Sequence, residues 1–522
     1  MRSGSYADWL QRQFSLPVSA TGWDWLEGRG YGVNDKNQYV FNSTLADFMV
    51  WNQLFTGTDQ MRKRMTLALS EFFVISLQSA EFEWRSQGFA AWWDMLGRNA
   101  FGNYRQLLEE VTLNPAMGYY LNTKGNQKEN TRSGRVPDEN YAREVMQLFS
   151  IGLYQLNSDG TEKVNASGKK IDVYTQSDVT NLARVFTGYD FDPSVGKFSP
   201  RKSDDSGFDS YTLLNKEFAR RPMVLDATKH STLAADFLGA SVPVGATGAA
   251  ALATALDTLF NHPNTAPFFC KQMIQRLVTS NPSPAYVSRV ADKFSNNGSG
   301  IRGDLKAVWS AILLDPEARS VQAPTTPGFG KLREPIVRLV QWGRSFGFNS
   351  ASGGWKMFDT ASPAEKLGQS PLRSPSVFNF FRPGFVPPGT ALAASKSTAP
   401  EFQLVNESTV GAYLNYMQQV IEVGVFVASP PGAPNPFTGP YVQDITASFS
   451  AELALALDAA ALVARLNLVL CAGRLSAATA TLMVNALNAT ALTTASTNEQ
   501  KLNRVRGATL MVLACAEYLI QK

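Results

Sequence analysis

The sequence predicts a mainly α-helical protein, built as a multi-helical globular array with one small β-hairpin at about residues 153–174 and a C-terminal helical lobe. Apolar residues recur every three or four positions in segment after segment of the 522 residues, which is the spacing of one helix face. Only one pair of strand-like runs flanks a tight-turn sequence. No internal repeat of about 30 to 50 residues stands out, which argues against a regular solenoid.

The first part of the chain is predicted to form helices at 5–15, 43–55, 59–76, 101–112, 138–152 and 176–187. In the third of these, Met61, Met65 and Leu69 supply the apolar face. The fifth has clear boundaries, because Pro137 and Asp138 form a typical helix entry and Gly152 stands where a helix stops.

The hairpin prediction rests on residues 153–156 and 170–174, which flank Asn157-Ser158-Asp159-Gly160. The Asp-Gly pair favours a tight turn. As a calcium loop, the same segment lacks the remaining ligand positions and the terminal glutamate.

The second part is predicted to form helices at 249–260, 268–278, 285–294, 302–314, 331–346 and 405–423. Residues 375–388 are rich in proline and phenylalanine, and we expect an ordered, non-helical strap across the helices. A proline-rich linker at 426–444 divides a helical core, 1–425, from an alanine-rich helical lobe, 445–522.

Composition excludes several classes of protein. The chain is 44% hydrophobic and 18% charged with a net charge of +4, which is typical of a globular protein. It has no run of basic residues, so nucleic acid is not an expected partner. No apolar run is long enough for a transmembrane helix.

Three cysteines are too few and too scattered for a disulfide framework or a thiolate zinc site, and we expect all three in the core. Two histidines exclude a histidine-rich metal centre. No glycine-rich phosphate loop occurs. We therefore expect no metal and no cofactor.

Seven motifs together, covering nearly the whole chain, resemble one bacterial family, catalogued as domain of unknown function 1800. They are Asn114-Pro115-Ala116-Met117, Glu139-Asn140-Tyr141-Ala142-Arg143-Glu144, Asp178-Val179 with Leu182-Ala183-Arg184-Val185-Phe186-Thr187-Gly188, His262-Pro263, Arg333-Glu334-Pro335, Ser374-Pro375-Ser376-Val377-Phe378-Asn379-Phe380-Phe381-Arg382-Pro383, and Glu517-Tyr518-Leu519-Ile520-Gln521. The chain departs from the family pattern at Tyr189, where tryptophan is frequent, and at Ala516, where proline is frequent.

The resemblance implies a commonly exported bacterial protein, often encoded beside a phosphatase- or sulfatase-like partner, and it brings no established reaction. The chain opens in mid-helix without a signal peptide. We therefore expect a periplasmic or extracellular protein whose signal peptide has been removed.

Paired carboxylates are the best candidates for chemistry, because hydrolysis of a glycosidic bond needs a proton donor and a base or nucleophile. Glu139 and Glu144 lie five positions apart on one helix, which rotates their side chains by about 140° relative to one another. Glu139 instead faces Arg143, and its place in the first turn suits a carboxylate without any catalytic need.

Glu144 is the stronger candidate for a general acid, because it lies beside an apolar run where burial would raise its pKa. The alternative is a buried ion pair between Glu144 and Arg184. A catalytic Glu144 would need a partner such as Asp178, Asp190 or Asp172. Thr175 and Asp178 also stand at capping-box spacing, which explains Asp178 without catalysis.

The predicted site lies between helices 138–152 and 176–187, with the polar loop 122–135 as its rim. A Ser–His–Asp triad is disfavoured, since the chain has no Gly-x-Ser-x-Gly elbow. The candidate substrate-binding residues are Asn140, Arg143, Arg184, Trp92, Trp93 and His230. The two tryptophans offer a platform for stacking a sugar, although packing in the helix core is the favoured explanation for them.

Two functions remain open. One is a secreted hydrolase acting on a polysaccharide or another envelope polymer, with Glu144 as the acid and an aspartate as the base. The other is a non-catalytic envelope protein that binds a glycan or a co-exported partner.

Overall fold

The computed structural model describes residues 4–33, 39–197, 214–320, 325–326, 328–428 and 441–522. This part of the chain contains 22 α-helices, and its strands are two to six residues long and pair only in antiparallel fashion. The predicted mainly α fold is confirmed.

The N-terminal helices build the centre of the core. They are α1 Tyr6–Ser15, α2 Gly22–Gly28, α3 Thr44–Thr56, α4 Gln60–Ser70, α5 Arg85–Asn99, α6 Tyr104–Thr112 and α7 Pro115–Tyr120. Helix α3 is buried on every side from Leu45 to Phe55, which is typical of a central helix. Helix α4 ends earlier than predicted, because the N–H groups of Phe72 and Phe73 both bond the carbonyl of Leu69.

The middle helices are α8 Asn140–Gln147, α9 Gln176–Val185, α10 Gly248–Asn261, α11 Thr265–Leu277, α12 Pro284–Ser295, α13 Leu305–Leu314 and α14 Pro316–Arg319. Helix α8 is shorter than the predicted 138–152. Its last turn widens, since the N–H groups of Ile151 and Gly152 both bond the carbonyl of Met146. Gly152, with φ 75°, then reverses the chain as the sequence predicted.

The C-terminal helices are α15 Pro335–Ser345, α16 Ala391–Ala394, α17 Glu407–Val423, α18 Ser450–Leu453, α19 Ala459–Cys471, α20 Ala477–Asn488, α21 Asn498–Ala514 and α22 Ala516–Leu519. The prediction of a helix from Lys331 is wrong for its first turn. Lys331 and Leu332 form a strand, and Glu334 is extended with ψ 141°, because a residue before proline is disfavoured in the helical region.

The strands are β1 Tyr189–Asp190, β2 Val224–Leu225, β3 Ala235–Phe237, β4 Ala240–Val242, β5 Lys331–Leu332, β6 Asn349–Ser350, β7 Val425–Ala428, β8 Tyr441–Thr446 and β9 Ile520–Gln521. They form the pairs β1–β2, β3–β4 and β5–β9 and the three-stranded sheet β6–β8–β7. The sequence predicted none of these pairings, since two- and three-residue strands carry almost no periodicity.

The predicted hairpin at 153–174 lies where expected but has two turns rather than one. Isolated antiparallel bridges join Tyr154 to Asp172, Leu156 to Glu162, and Val164 to Lys170. The second turn, at 165–168, is closed by a hydrogen bond from the N–H of Lys169 to the side chain of Asn165.

The predicted linker lies partly outside the described residues, at 429–440. Its described flanks, β7 and β8, pair with one another, and β8 also pairs with β6. Strand β9, at the end of the C-terminal lobe, pairs with β5 of the helical core. The division into a core 1–425 and a lobe 445–522 stays a prediction.

The strap at 375–388 is non-helical, as predicted, and packs against the helical core. Asn379 and Phe381 are buried. The strap is held by Gln275 of α11, whose amide donates a hydrogen bond of 3.0 Å to the carbonyl of Pro383. This contact places the strap along one side of a cleft.

Candidate functional site

A cleft of about 470 Å³ lies among α11, the strap, the hairpin and the C-terminal ends of α4 and α8, and we call it the central cleft. It is lined by Glu71, Phe72, Val74, Gln147, Leu148, Gly152, Leu153, Tyr154, Leu156, Gly160, Glu162, Phe268, Lys271, Gln272, Gln275, Arg276, Val377, Phe378, Asn379, Arg382, Pro383, Gly384 and Thr398. Its volume falls within the range of small-molecule sites.

Aromatic rings and side-chain amides are prominent in the lining of the central cleft. The aromatic rings are those of Phe72, Tyr154, Phe268 and Phe378, and the amides are those of Gln147, Gln272, Gln275 and Asn379. Buried polar atoms without a hydrogen-bond partner occur among them, namely Oε1 of Gln275 and Nδ2 of Asn379. Because such atoms are costly in a folded protein, they mark places where a ligand would supply a partner.

Gly152 sets the shape of one wall. Its φ of 75° is the left-handed conformation that favours glycine, and a Cβ built there would lie 2.7 Å from the ring of Phe268. Only glycine therefore allows the turn after α8 to lie against this ring.

A buried acid–base cluster adjoins the cleft, and we define it as Arg64, Glu71, Arg276, Lys331, Glu334 and Glu401. Lys331 is its centre: Nζ lies 3.0 Å from Glu401 Oε1 and 3.4 Å from Glu334 Oε1, and it donates to the carbonyl of Arg276 at 2.8 Å. Lys331 and its three partners, Glu401, Glu334 and Arg276, are each less than a tenth exposed.

The buried carboxyl groups of Glu71 and Glu334 have pKa values that are shifted in opposite directions. Burial raises the pKa of Glu71 well above its ordinary value, and the charge of Glu334 and a hydrogen bond to it act in the same direction. Burial also opposes ionisation of Glu334, but Lys331, Arg64 and hydrogen bonds from Glu71 and Gln369 hold its pKa at about 2. These shifts favour a proton on Glu71 over a proton on Glu334.

Sequence reasoning missed this cluster. Its members come from α4 and the residue after it, from α11, from the β5–α15 segment and from the 3₁₀-helix Pro400–Leu404. The family motif Arg333-Glu334-Pro335 is the signal in the sequence that points to this cluster.

Glu144 lies in α8, one turn before the cleft residue Gln147, but it does not line the central cleft. The residue is 7% exposed, and its Oε2 is buried without a hydrogen-bond partner. Burial raises the pKa of Glu144, and the charge of Arg143 opposes the rise. The direction is the one expected of a general acid, yet among the described residues no second carboxylate contributes to the shift.

The predicted ion pair between Glu144 and Arg184 is wrong. The Arg184 guanidinium donates to Asn181 Oδ1 at 2.8 Å and to the carbonyl of Ala234 at 2.6 Å. It therefore ties α9 to the segment before β3.

Glu139 lies at the start of α8, and its predicted contact with Arg143 is confirmed at 3.2 Å. Its carboxylate also accepts hydrogen bonds from Gln176 at 2.8 Å and Thr180 at 2.7 Å. Burial acts against ionisation of Glu139, but these hydrogen bonds outweigh it and hold its pKa below the ordinary value. The N-terminal ends of α8 and α9 are thus fastened together, with Asn140 half-buried beside them.

Two of the three candidate aspartates, Asp178 and Asp190, have structural partners. The capping box of Thr175 and Asp178 is confirmed, and Asp178 also accepts the N–H of Leu238 at 2.7 Å. Burial opposes ionisation of Asp178, but these hydrogen bonds hold its pKa below the ordinary value. Asp190 forms an ion pair of 3.1 Å with Lys124. Neither aspartate lines the central cleft.

Trp92 and Trp93 are 0% and 1% exposed, so the prediction that they offer a sugar platform is wrong. Adjacent positions on α5 point in different directions, but α5 is buried on almost all sides, so both rings pack in the core. His230 is also buried, and its Nδ1 lies 2.9 Å from the carbonyl of Thr187.

Within the described residues, no three His, Cys, Asp or Glu side chains are grouped closely enough to hold a metal ion. None of the helices in this part of the chain has the length and apolar character needed to span a bilayer.

Fold and site together define a multi-helical α protein in which an aromatic and amide-lined cleft adjoins a buried acid–base cluster. The model of one family, described as a protein of unknown function (DUF1800), matches residues 2–520. The chain belongs to this family. No curated protein and no solved structure matched it.

Proposed function

We propose that the protein binds a carbohydrate, a segment of a polysaccharide or envelope polymer, in the central cleft. The observation that carries the proposal is the combination of aromatic rings with amides whose buried atoms include an unpaired donor, Asn379 Nδ2, and an unpaired acceptor, Gln275 Oε1. A sugar has apolar C–H faces that pack on aromatic rings and hydroxyl groups that both donate and accept hydrogen bonds.

Arg382 adds a preference to this proposal. Its guanidinium lies 4.7 Å from the ring centroid of Phe378, the side chain is exposed, and it forms no ion pair with a carboxylate in the described part of the chain. The cleft is lined by the cations Lys271, Arg276 and Arg382 and by two glutamates, Glu71 and Glu162. Glu162 is paired with Lys170 at 2.7 Å. The cleft therefore carries excess positive charge, and acidic sugars should bind more tightly than neutral ones of the same length.

The test is calorimetric titration of the purified protein with a panel of neutral and acidic oligosaccharides. Phe378→Ala removes a cleft ring and should weaken binding about tenfold, which corresponds to about 1.4 kcal/mol. Phe380→Ala is the matched control, because this phenylalanine lies on the same strap, is similarly half-buried and does not line the cleft. Equal loss in both variants, or no binding by the parent to any sugar, would overturn the proposal.

Hydrolysis of the bound glycan is the second candidate, favoured by the raised pKa of Glu71, which lines the cleft. A general acid needs a proton at neutral pH, and burial and the charge of Glu334 both favour the protonated form of Glu71. Glu144 remains the alternative acid, since burial raises its pKa as well.

The two acids are separated by measuring the release of reducing ends from the tightest-binding glycan. If Glu71 is the acid, Glu71→Gln abolishes release and Glu144→Gln retains it, and the reverse result assigns the acid to Glu144. If the parent protein binds the glycan but releases no reducing ends, the non-catalytic function is favoured. Calorimetry on the same samples shows whether each variant still binds.

We further propose that this binding takes place in the bacterial periplasm or outside the cell, in agreement with the exported character that the sequence resemblance implies. Fractionation of cells that express the full-length gene tests the location. Co-purification from those cells tests for a phosphatase- or sulfatase-like partner. Recovery of the protein only from the cytoplasm would contradict the proposal.

A further inference from the structure

Two cysteines of the C-terminal lobe lie side by side. Cys471 is the last residue of α19, and Cys515 directly follows α21. Both are free thiols, and they lie close enough for each side chain to shift the pKa of the other. Cys471 is buried, whereas Cys515 is half-buried rather than in the core as expected from the sequence.

Neighbouring contacts hold the two segments in this register. Glu517 accepts a hydrogen bond of 2.7 Å from the hydroxyl of Thr479 and one of 3.2 Å from the N–H of Ser476. Arg474 donates to the carbonyl of Lys522 at 3.0 Å. The two thiols are therefore held in place by the fold on both sides.

We propose that Cys471 and Cys515 form a reversible disulfide, which makes this pair a redox-sensitive site that ties α19 to the end of α21. Bond formation requires the two sulfur atoms to approach to about 2.0 Å. Cys270 is fully buried in α11 and takes no part.

The chemistry is a thiol–disulfide exchange with a small-molecule disulfide, such as oxidised glutathione, or with an oxidised dithiol oxidoreductase. The hydrogen bond from the Cys471 thiol and the N–H of Tyr518 lower the pKa of Cys515, so Cys515 is the attacking thiolate. It forms a mixed disulfide and releases one thiolate of the oxidant. Cys471 then loses its proton and attacks the sulfur of Cys515, which releases the second thiolate. The two cysteines lose two electrons, and the disulfide of the oxidant gains them.

The bond would close the loop 472–514 and fasten the segment that leads into β9. That strand pairs with Lys331 and Leu332, and Lys331 is the centre of the acid–base cluster. Oxidation would thus brace the end of the chain against the strand that carries this lysine.

The experiment counts thiols in the intact, folded protein before and after treatment with oxidised glutathione. Samples are denatured, alkylated with a maleimide and weighed by mass spectrometry. We expect three adducts per chain before treatment and one after it, because the chain has three cysteines, and a peptide that joins Cys471 to Cys515. Dithiothreitol should restore all three.

Three variants control the result. Cys270→Ser should still lose two thiols on oxidation, and Cys471→Ser should instead retain a glutathione adduct on Cys515. Cys515→Ser should form neither product. Three persistent adducts in the oxidised parent, a glutathione adduct on Cys515 without the crosslink, or a crosslink to Cys270 would overturn the proposal.

Discussion

Replacement of Glu71 by glutamine is predicted to stabilise the protein at neutral pH, although it removes a buried ionisable group. In the folded protein, burial and the charge of Glu334 raise the pKa of Glu71 well above the ordinary value of 4.5. The unfolded chain loses that proton as the pH rises through 4.5. Folding therefore binds a proton above this pH, and the free energy of unfolding falls as the pH rises towards the folded pKa. Glutamine is always neutral and can donate to Glu334 as the protonated acid does.

The magnitude follows from the same linkage. Between pH 4.5 and pH 7, each pH unit lowers the free energy of unfolding of the wild type by up to about 1.4 kcal/mol. The variant does not lose this energy, so its free energy of unfolding can exceed that of the wild type by at most about 3.4 kcal/mol at pH 7. We expect a gain of about 1–3 kcal/mol, since an amide hydrogen bond to Glu334 is weaker than that of a carboxylic acid. The gain should vanish near pH 4, where Glu71 is protonated in both states.

The assay is urea unfolding of wild type and Glu71→Gln at several pH values between 4 and 8. Glu499→Gln is the matched control, because this glutamate is exposed and paired only with Arg506, and its effect should stay within about 0.5 kcal/mol at every pH. A Glu71→Gln variant that is less stable than wild type at pH 7, or a difference that does not change with pH, would refute the raised pKa of Glu71.

Three further variants test the cluster, the turn and the cleft. Glu334→Gln should lower the free energy of unfolding by up to about 3 kcal/mol, which is the low end of the range for a broken buried ion pair, because Glu71 is then free to ionise in its place. Urea unfolding checks this prediction, and an unchanged midpoint would contradict it. Gly152→Ala should lower the free energy of unfolding by about 1–3 kcal/mol in the same measurement, because the φ of Gly152 is 75° and a Cβ would lie 2.7 Å from Phe268. An unchanged free energy of unfolding would show that the turn after α8 relaxes freely. Arg382→Ala should weaken binding of acidic oligosaccharides about tenfold, or about 1.4 kcal/mol, and should change the affinity for neutral oligosaccharides by no more than about twofold. Titration at two salt concentrations checks this prediction. An equal loss of affinity for both sugar classes would argue against a charge effect.

Local features of the fold could be predicted from the sequence because neighbouring residues determine them. The capping box at Thr175 and Asp178, the contact of Glu139 with Arg143 and the turn at Gly152 each depend on residues within a few positions of one another. The predicted helix ends were less accurate, as at α4 and α8, because the geometry of the last turn depends on what packs against it.

The site could not be predicted in the same way, since tertiary packing assembles it. Phe72, Phe268 and Phe378 come from three distant segments, and each reads in the sequence as an ordinary core residue. Glu71 follows an apolar helix and carries no motif of its own, so nothing local marks it as the partner of Glu334. Trp92 drew attention by its residue type, but the burial of α5 on nearly all sides is a property of the whole core.

A crystal structure of the protein with its tightest-binding oligosaccharide tests the central claim most directly. We predict a sugar ring against Phe378, with hydroxyl groups within about 3.2 Å of Asn379 Nδ2 and Gln275 Oε1. A sugar bound elsewhere on the protein, or a ligand in the central cleft that leaves both of these atoms without a partner, would contradict the account.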